Sequence, residues 1–162
     1  MNNSSFQKNT AILKDSEFHA AMTKKVEPFL AGICQSGYLE VPGGMLYYEA
    51  YCPKEAKGVI VISHGFSESI EKYKEVIYYF VIAGYRVYLA DHRGHGRSLR
   101  DTRHPHMVHV RQFTDYVDNL HTFVQKAVIP FCSGLPLYLY AHSMGGCIGA
   151  LYLETYPATS QK

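Results

Sequence analysis

Between Leu135 and Gly149 the sequence sets up one serine to react. Leu135 to Tyr140 alternate large apolar residues as a strand does, and they run into Ala141-His142-Ser143-Met144-Gly145, after which Gly146 and Gly149 open a helical pattern. A sharp strand-to-helix turn brings neighbouring backbone close. Small residues are therefore required on both sides of the serine, and Ala141 and Gly145 supply them, lifting the Ser143 hydroxyl clear of the sheet. The Met144 N–H then stands at the positive end of a helix. This geometry suits nucleophilic attack on an acyl group, provided a base takes the proton and donors hold the oxyanion. The alternative is a tight turn whose serine only caps the helix. Upstream, a strand ends in His64-Gly65-Phe66, where the Phe66 N–H offers a second oxyanion donor if the loop curls back over the serine; the alternative there is a plain glycine turn. The side chains of Phe66 and Met144 would add apolar surface for an acyl chain.

A second segment, Asp91 to His109, holds five histidines. It does not read as a metal site: no carboxylate or cysteine stands at ligand spacing with them, and the interleaved arginines repel a cation. Gly94 and Gly96 instead permit a folded loop whose arginines bond internally, with Arg97, Arg100 and Arg103 as an alternative docking point for an anionic head group. Cys34, Cys52, Cys132 and Cys147 have no paired spacing, which speaks against a zinc knuckle or a disulfide framework and leaves four reduced, mostly buried thiols.

Positioning these loops requires a frame, and the apolar periodicity supplies one. Residues Asp15 to Leu30 carry Phe18, Ala21, Met22, Val26, Phe29 and Leu30 at helical spacing, after a polar stretch over residues 1–14. Tyr38–Val41 and Met45–Tyr51 flank Pro42-Gly43-Gly44 as a hairpin. Gly58–Ser63, Tyr85–Ala90 and Leu135–His142 read as buried strands. They alternate with helices over Ile70–Ala83, Val110–Ala127 and Met144–Tyr156, with Gly84 and Pro157 as stops. Such alternation demands a parallel sheet with right-handed crossovers: a three-layer α/β domain with an antiparallel hairpin at one side. Ligands bind such sheets at the carboxyl ends of the strands. Those ends are His64-Gly65-Phe66, Asp91 to Ser98 and Ala141 to Gly145, so the three loops are expected on one rim. Tyr78, Tyr79, Tyr138 and Tyr140 are expected to be packing residues.

The chain has 162 residues, 47% hydrophobic and 19% charged, which is enough to bury one core. A net charge of +2 gives no ground for a nucleic-acid partner. Its longest apolar run, Val76–Ala83, falls far short of the roughly 20 residues that span a bilayer. Met1 to Lys8 lack the apolar core and cleavage site of a secretory leader, so a cytoplasmic location is expected, with contact at a membrane periphery left open.

His64-Gly65-Phe66-Ser67-Glu68, Asp91-His92-Arg93-Gly94-His95-Gly96-Arg97-Ser98 and Ala141-His142-Ser143-Met144-Gly145-Gly146 together resemble the α/β-hydrolase superfamily. The likeness runs from about Tyr38 to Pro157. It is nearest to the branch of monoacylglycerol lipase and lysophospholipase L2, with a hydrolase domain of the S33 serine-aminopeptidase type. The resemblance implies an α/β-hydrolase fold, hydrolysis of a monoacyl lipid or other small ester, and no metal or organic cofactor. It implies Ser143 as nucleophile, Phe66 and Met144 as backbone oxyanion donors, and a structural role for the Asp91 loop. In this fold an acid and then a histidine follow the serine along the chain. Here Glu154 is the only acid after Ser143 and no histidine follows. The expectation is therefore a tail and helix over residues 1–35 and an incomplete, C-terminally truncated core over residues 36–162, inactive alone or surviving as a non-catalytic remnant that binds lipid or a partner. A base from His64 or His92 is the remaining alternative, whereas His142, next to the serine, is expected to point away from its hydroxyl. The strand before Ser143 is expected to show a free edge.

Overall fold

The computed structural model describes residues 12–104, 106–132 and 134–157. Most of the polar amino-terminal stretch and the tail from Ala158 lie outside them. The first helical segment opens with a 3-10 turn, Asp15–Glu17, and continues as α1 (Phe18–Ala21), a π turn (Met22–Val26) and α2 (Glu27–Ala31). Only its second half meets the core, so Val26 and Leu30 are buried while Phe18 and Phe29 stay exposed. Strands β1 (Cys34–Val41) and β2 (Gly44–Tyr51) form the expected hairpin in the register Val41↔Gly44, β1 starting four residues before Tyr38. Gly43 and Gly44 take φ of 92° and 153°, which favours glycine at both.

Next come β3 (Gly58–Ser63), a 3-10 turn (Ile70–Tyr73) leading into α3 (Lys74–Ile82), and β4 (Tyr85–Ala90). Gly84 stops the helix at φ 88°, its N–H bonded to Val81 O. The helix α4 (Thr114–Phe123) begins later than the periodicity suggests and leaves Val110 outside, then widens through a π turn (Val124–Val128) and ends in a tighter 3-10 turn (Ile129–Phe131). The last elements are β5 (Leu137–Ala141) and α5 (Met144–Thr155).

The sheet order is β1-β2-β4-β3-β5, with β4 and β5 parallel to β3 and the hairpin antiparallel at one side. All six residues of β3 are buried, and they alternate between two cores. Val59 and Val61 face α4 and α5 through Leu120, Phe123 and Ile148, whereas Ile60 and Ile62 face α3 and α2 through Ile77, Val81 and Leu30. Burying each such aliphatic side chain contributes about 1.5–3 kcal/mol, so the β-branched run is the spine of both outer layers.

One expectation fails. The strand before Ser143 is not buried: Tyr138 and Tyr140 are 50% and 40% exposed. Among the described residues β5 pairs only with β3, so its outer edge is free, and the two tyrosines pack edge-on against Tyr85 and Phe80 from one side only. No described helix is long and apolar enough to cross a membrane.

Candidate active site

Because β3, β4 and β5 are parallel, their carboxyl ends fall on one rim, and hydrogen bonds stitch the three loops together there. The His142 N–H continues the ladder to Ser63 O at 3.1 Å. Ser63 Oγ donates to Gly145 O at 3.2 Å and lies 3.1 Å from His92 Nε2. The His92 N–H in turn donates to His64 Nε2 at 2.8 Å.

Ser143 occupies φ 54°, ψ −121°, and only Ser67 among the other described non-glycine residues has positive φ. Such a conformation costs about 1–3 kcal/mol and persists where surrounding structure enforces it. The enforcement is visible. A Cβ on Gly145 would overlap Ser63 O and reach within 2.6 Å of His64 O, and one on Gly149 would come 2.7 Å from Leu139 Cδ2. The glycines let α5 press its first turn onto the end of β3. The serine does not cap that helix: its side chain makes no cap bond, and only its carbonyl accepts, from the Gly146 N–H at 2.8 Å. Its exposed hydroxyl has no hydrogen-bond partner among the described residues. The N–H groups of Phe66 and Met144 likewise donate to no described acceptor, and the Phe66 ring is exposed above His95.

No histidine near the rim is bonded to Ser143. His64 Nδ1 lies 2.8 Å from Gly65 O while its Nε2 receives the His92 N–H, so both ring nitrogens are engaged. His92 is turned to Ser63, and His142 Nδ1 lies 3.3 Å from Glu68 Oε2. Burial, and then the neighbouring rings, lower the pKa of His92 well below the usual imidazole range.

Asp91 is fully engaged, Oδ1 accepting from the Ile70 N–H at the turn before α3 and Oδ2 from the Arg97 N–H of its own loop, both at 2.9 Å. A side chain at Gly96, which has φ 47°, would overlap that carboxylate. Arg93, Arg97 and Arg100 are also spoken for. Arg93 pairs with Asp101, Arg100 donates to the carbonyls of Gly94 and Gly96, and Arg97 reaches Tyr47, Glu49 and Glu71. An anionic head group would find Arg97 and Arg100 already bonded, while exposed Arg103 has no bonding partner among the described residues. Among the described residues no three His, Cys, Asp or Glu side chains are placed to share a metal ion. All four cysteines are free thiols but, against the expectation of mostly buried ones, only Cys132 is buried, Cys34 and Cys52 are half-buried, and Cys147 is exposed on the first turn of α5.

Two carboxylates at the rim escape sequence reasoning. Glu68 accepts from the Gly65 N–H at 2.7 Å, Tyr73 OH at 2.6 Å and Lys72 Nζ at 2.6 Å, and it touches His142, tying the Phe66 loop to the serine turn. Burial pushes its pKa up, but these donors outweigh burial and hold it down at about 2. Its only sequence signal is its place three residues after Gly65. Glu49, 4% exposed, accepts from Tyr47, Tyr51, Lys74 and Arg97 and so joins β2, α3 and the Asp91 loop. Glu49→Gln keeps the shape but removes the charge facing two cations. It is expected to lower stability by about 1.5–3 kcal/mol, read from the urea midpoint, and an unchanged midpoint would show the network to be unimportant.

A strained serine between strand and helix, on the carboxyl rim of a largely parallel sheet flanked by helices, defines the α/β-hydrolase class. Within it the chain belongs to the serine aminopeptidase S33 family, whose model matches residues 54–162. It is 46% identical over 99 residues to the lysophospholipase L2 of Escherichia coli K12, covering 61% of this chain and 29% of that protein. It is 35% identical over 124 residues to the monoacylglycerol lipase of Mycolicibacterium smegmatis, covering 76% of this chain and 42% of the relative. Among solved structures it superposes on a thermostable carboxyl esterase from Bacillus coagulans with a TM-score of 0.68 at 25% identity, over 78% of this chain and 41% of the esterase. The chain thus spans less than half the length of each.

Proposed function

We propose that Ser143 is the nucleophile of a carboxylic-ester hydrolase acting on a monoacyl lipid, a lysophospholipid or a monoacylglycerol. The observation that carries this reading is the strained, uncapped Ser143 with its unbonded hydroxyl. In the reaction the Ser143 oxygen bonds the acyl carbon while a base takes its proton. The N–H groups of Met144 and Phe66 hold the oxyanion, each worth about 10²–10³ in rate. Collapse expels the alcohol, which receives the proton, and water then attacks the acyl-enzyme to release the fatty acid and restore the serine. Phe66, exposed beside the site, gives the acyl chain an apolar wall. The lipid character of the substrate would place the encounter at a membrane surface.

The same reading holds that this chain carries the nucleophile and oxyanion donors without the base. It is supported by the absence of any histidine after Ser143 and by the bonding of His64, His92 and His142 to other groups. A non-catalytic protein that binds lipid without turnover is the second reading, favoured by the bonding of every rim histidine to a group other than Ser143. Labelling with a fluorophosphonate ester decides between them when set beside Ser143→Ala. We expect background labelling without added base, and Ser143-dependent labelling when concentrated imidazole stands in for it. Imidazole-driven labelling equal in Ser143→Ala would reject the nucleophile, and strong labelling without imidazole would reject the missing base.

A further inference from the structure

A second recess lies at the opposite end of the sheet from Ser143. Its floor is the α4-facing side of β1, β2 and β4, presenting Gln35, Tyr48, Cys52, Arg86 and Tyr88, and its wall is the end of the α4 extension at Phe131. It encloses about 360 Å³, within the usual small-molecule range of about 300–1,000 Å³. β4 runs from Arg86 at this cleft to Ala90 at the catalytic rim, a separation of about 13 Å at the strand rise of about 3.3 Å per residue.

Arg86 is the unusual feature. One terminal nitrogen donates to Phe131 O at 2.6 Å, while its buried Nε has no partner. Among the described residues no carboxylate pairs with it, in contrast to Arg93 and Arg97. The guanidinium is half-buried, with only its Nε closed off from water, and it has no counter-charge, so an anion in the cleft would supply the missing partner. Beside it the Tyr88 hydroxyl receives the Cys52 thiol at 3.5 Å. Burial and that thiol raise the Tyr88 pKa, so the phenol keeps a proton that it can donate to an oxyanion. The remaining walls are apolar, the rings of Tyr48 and of Phe131, which is 57% exposed.

We propose that this cleft is a second binding site, separate from Ser143, for an amphiphilic carboxylate of fatty-acid type. The carboxylate pairs with the half-exposed Arg86 guanidinium and the Tyr88 hydroxyl, and the hydrocarbon lies along Tyr48 and Phe131. The site does not depend on the reading of Ser143, since no residue is shared.

Cys52 in the floor provides the test, using the whole 162-residue chain. Iodoacetamide alkylation of Cys52 is followed by peptide mass spectrometry with octanoate, octanol or octylamine present. Exposed Cys147 on α5 serves as the internal reference. Octanoate is expected to slow Cys52 alkylation at least fivefold and leave Cys147 unchanged, octanol and octylamine to protect little, and Arg86→Gln to abolish the protection. Equal protection by octanol, equal slowing at Cys147, no protection at millimolar octanoate, or protection retained in Arg86→Gln would each overturn the proposal. Should Arg86→Gln expose buried Cys132, Tyr88→Phe decides instead: it removes one oxygen, and protection is expected to weaken severalfold, with undiminished protection counting against the site.

Discussion

Replacing Gly145 with alanine is expected to remove about 4–5 kcal/mol of stability, at the extreme of single-residue effects. The added methyl overlaps Ser63 O and crowds His64 O, and neither carbonyl can retreat. Ser63 O already accepts the His142 N–H, and Ser63 closes the all-buried β3. The helix must therefore lift off the strand end, carrying Ser143 and the Met144 N–H with it. For a domain of this size each kcal/mol moves Tm by about 2–4 °C, so a fall on the order of 10–15 °C is predicted. Gly146→Ala is the matched control. A Cβ there meets nothing within 4 Å, and alanine in a helix gains up to about 1 kcal/mol over glycine. A Tm for Gly145→Ala within a degree or two of the parent would contradict the close approach on which the serine geometry rests.

Acidification is expected to weaken the fold before any carboxylate titrates. His64, His92 and His95 cluster beneath the rim, tilted or edge-on to one another, with ring centroids 4.2 Å apart for His64–His92 and 5.2 Å for His64–His95. All three are buried, and burial lowers each pKa below the ordinary 6.5. The neighbouring rings push His64 and His92 further down, and Arg100 does the same to His95. Asp91 and Glu68 pull His64 upward without reversing the effect. The unfolded chain takes up protons at the ordinary value while the folded chain does not. Stability is thus fully present above pH 6.5 and is lost as pH falls below it. Each histidine adds its own proton to the difference between the folded and unfolded chains, so the three together make the loss steeper than any one alone. Glu68 acts in a lower window, its contribution being lost between pH 4.5 and about 2. Urea midpoints measured from pH 7.5 to 5.5 check the histidine stage, and a flat series would mean that the cluster accommodates a proton at no cost.

The frame and the serine turn were legible in the residues because the physics there is local. The β-branched run of β3, the helical stripe ended by Gly84 and the small residues around Ser143 each answer to sterics within a few positions. Parallel strands then oblige their carboxyl ends to meet. The reach of Glu68 to His142, the convergence of Lys74 and Arg97 on Glu49, and the engagement of His64 by the His92 backbone span 74, 25, 48 and 28 residues respectively, and nothing in their neighbourhoods announces them. Pattern also misjudged β5. Its alternating large residues are those of a covered strand, but burial depends on which elements flank it, and among the described residues only β3 pairs with it, leaving its outer edge uncovered. Sequence by itself determined which residues could turn, extend or react, since backbone and side-chain sterics act at short range. Only the tertiary structure decided which buried charges meet, that Arg86 has no counter-charge, and that the Ser143 hydroxyl stands alone, because those energies depend on distance and desolvation between segments far apart in the chain.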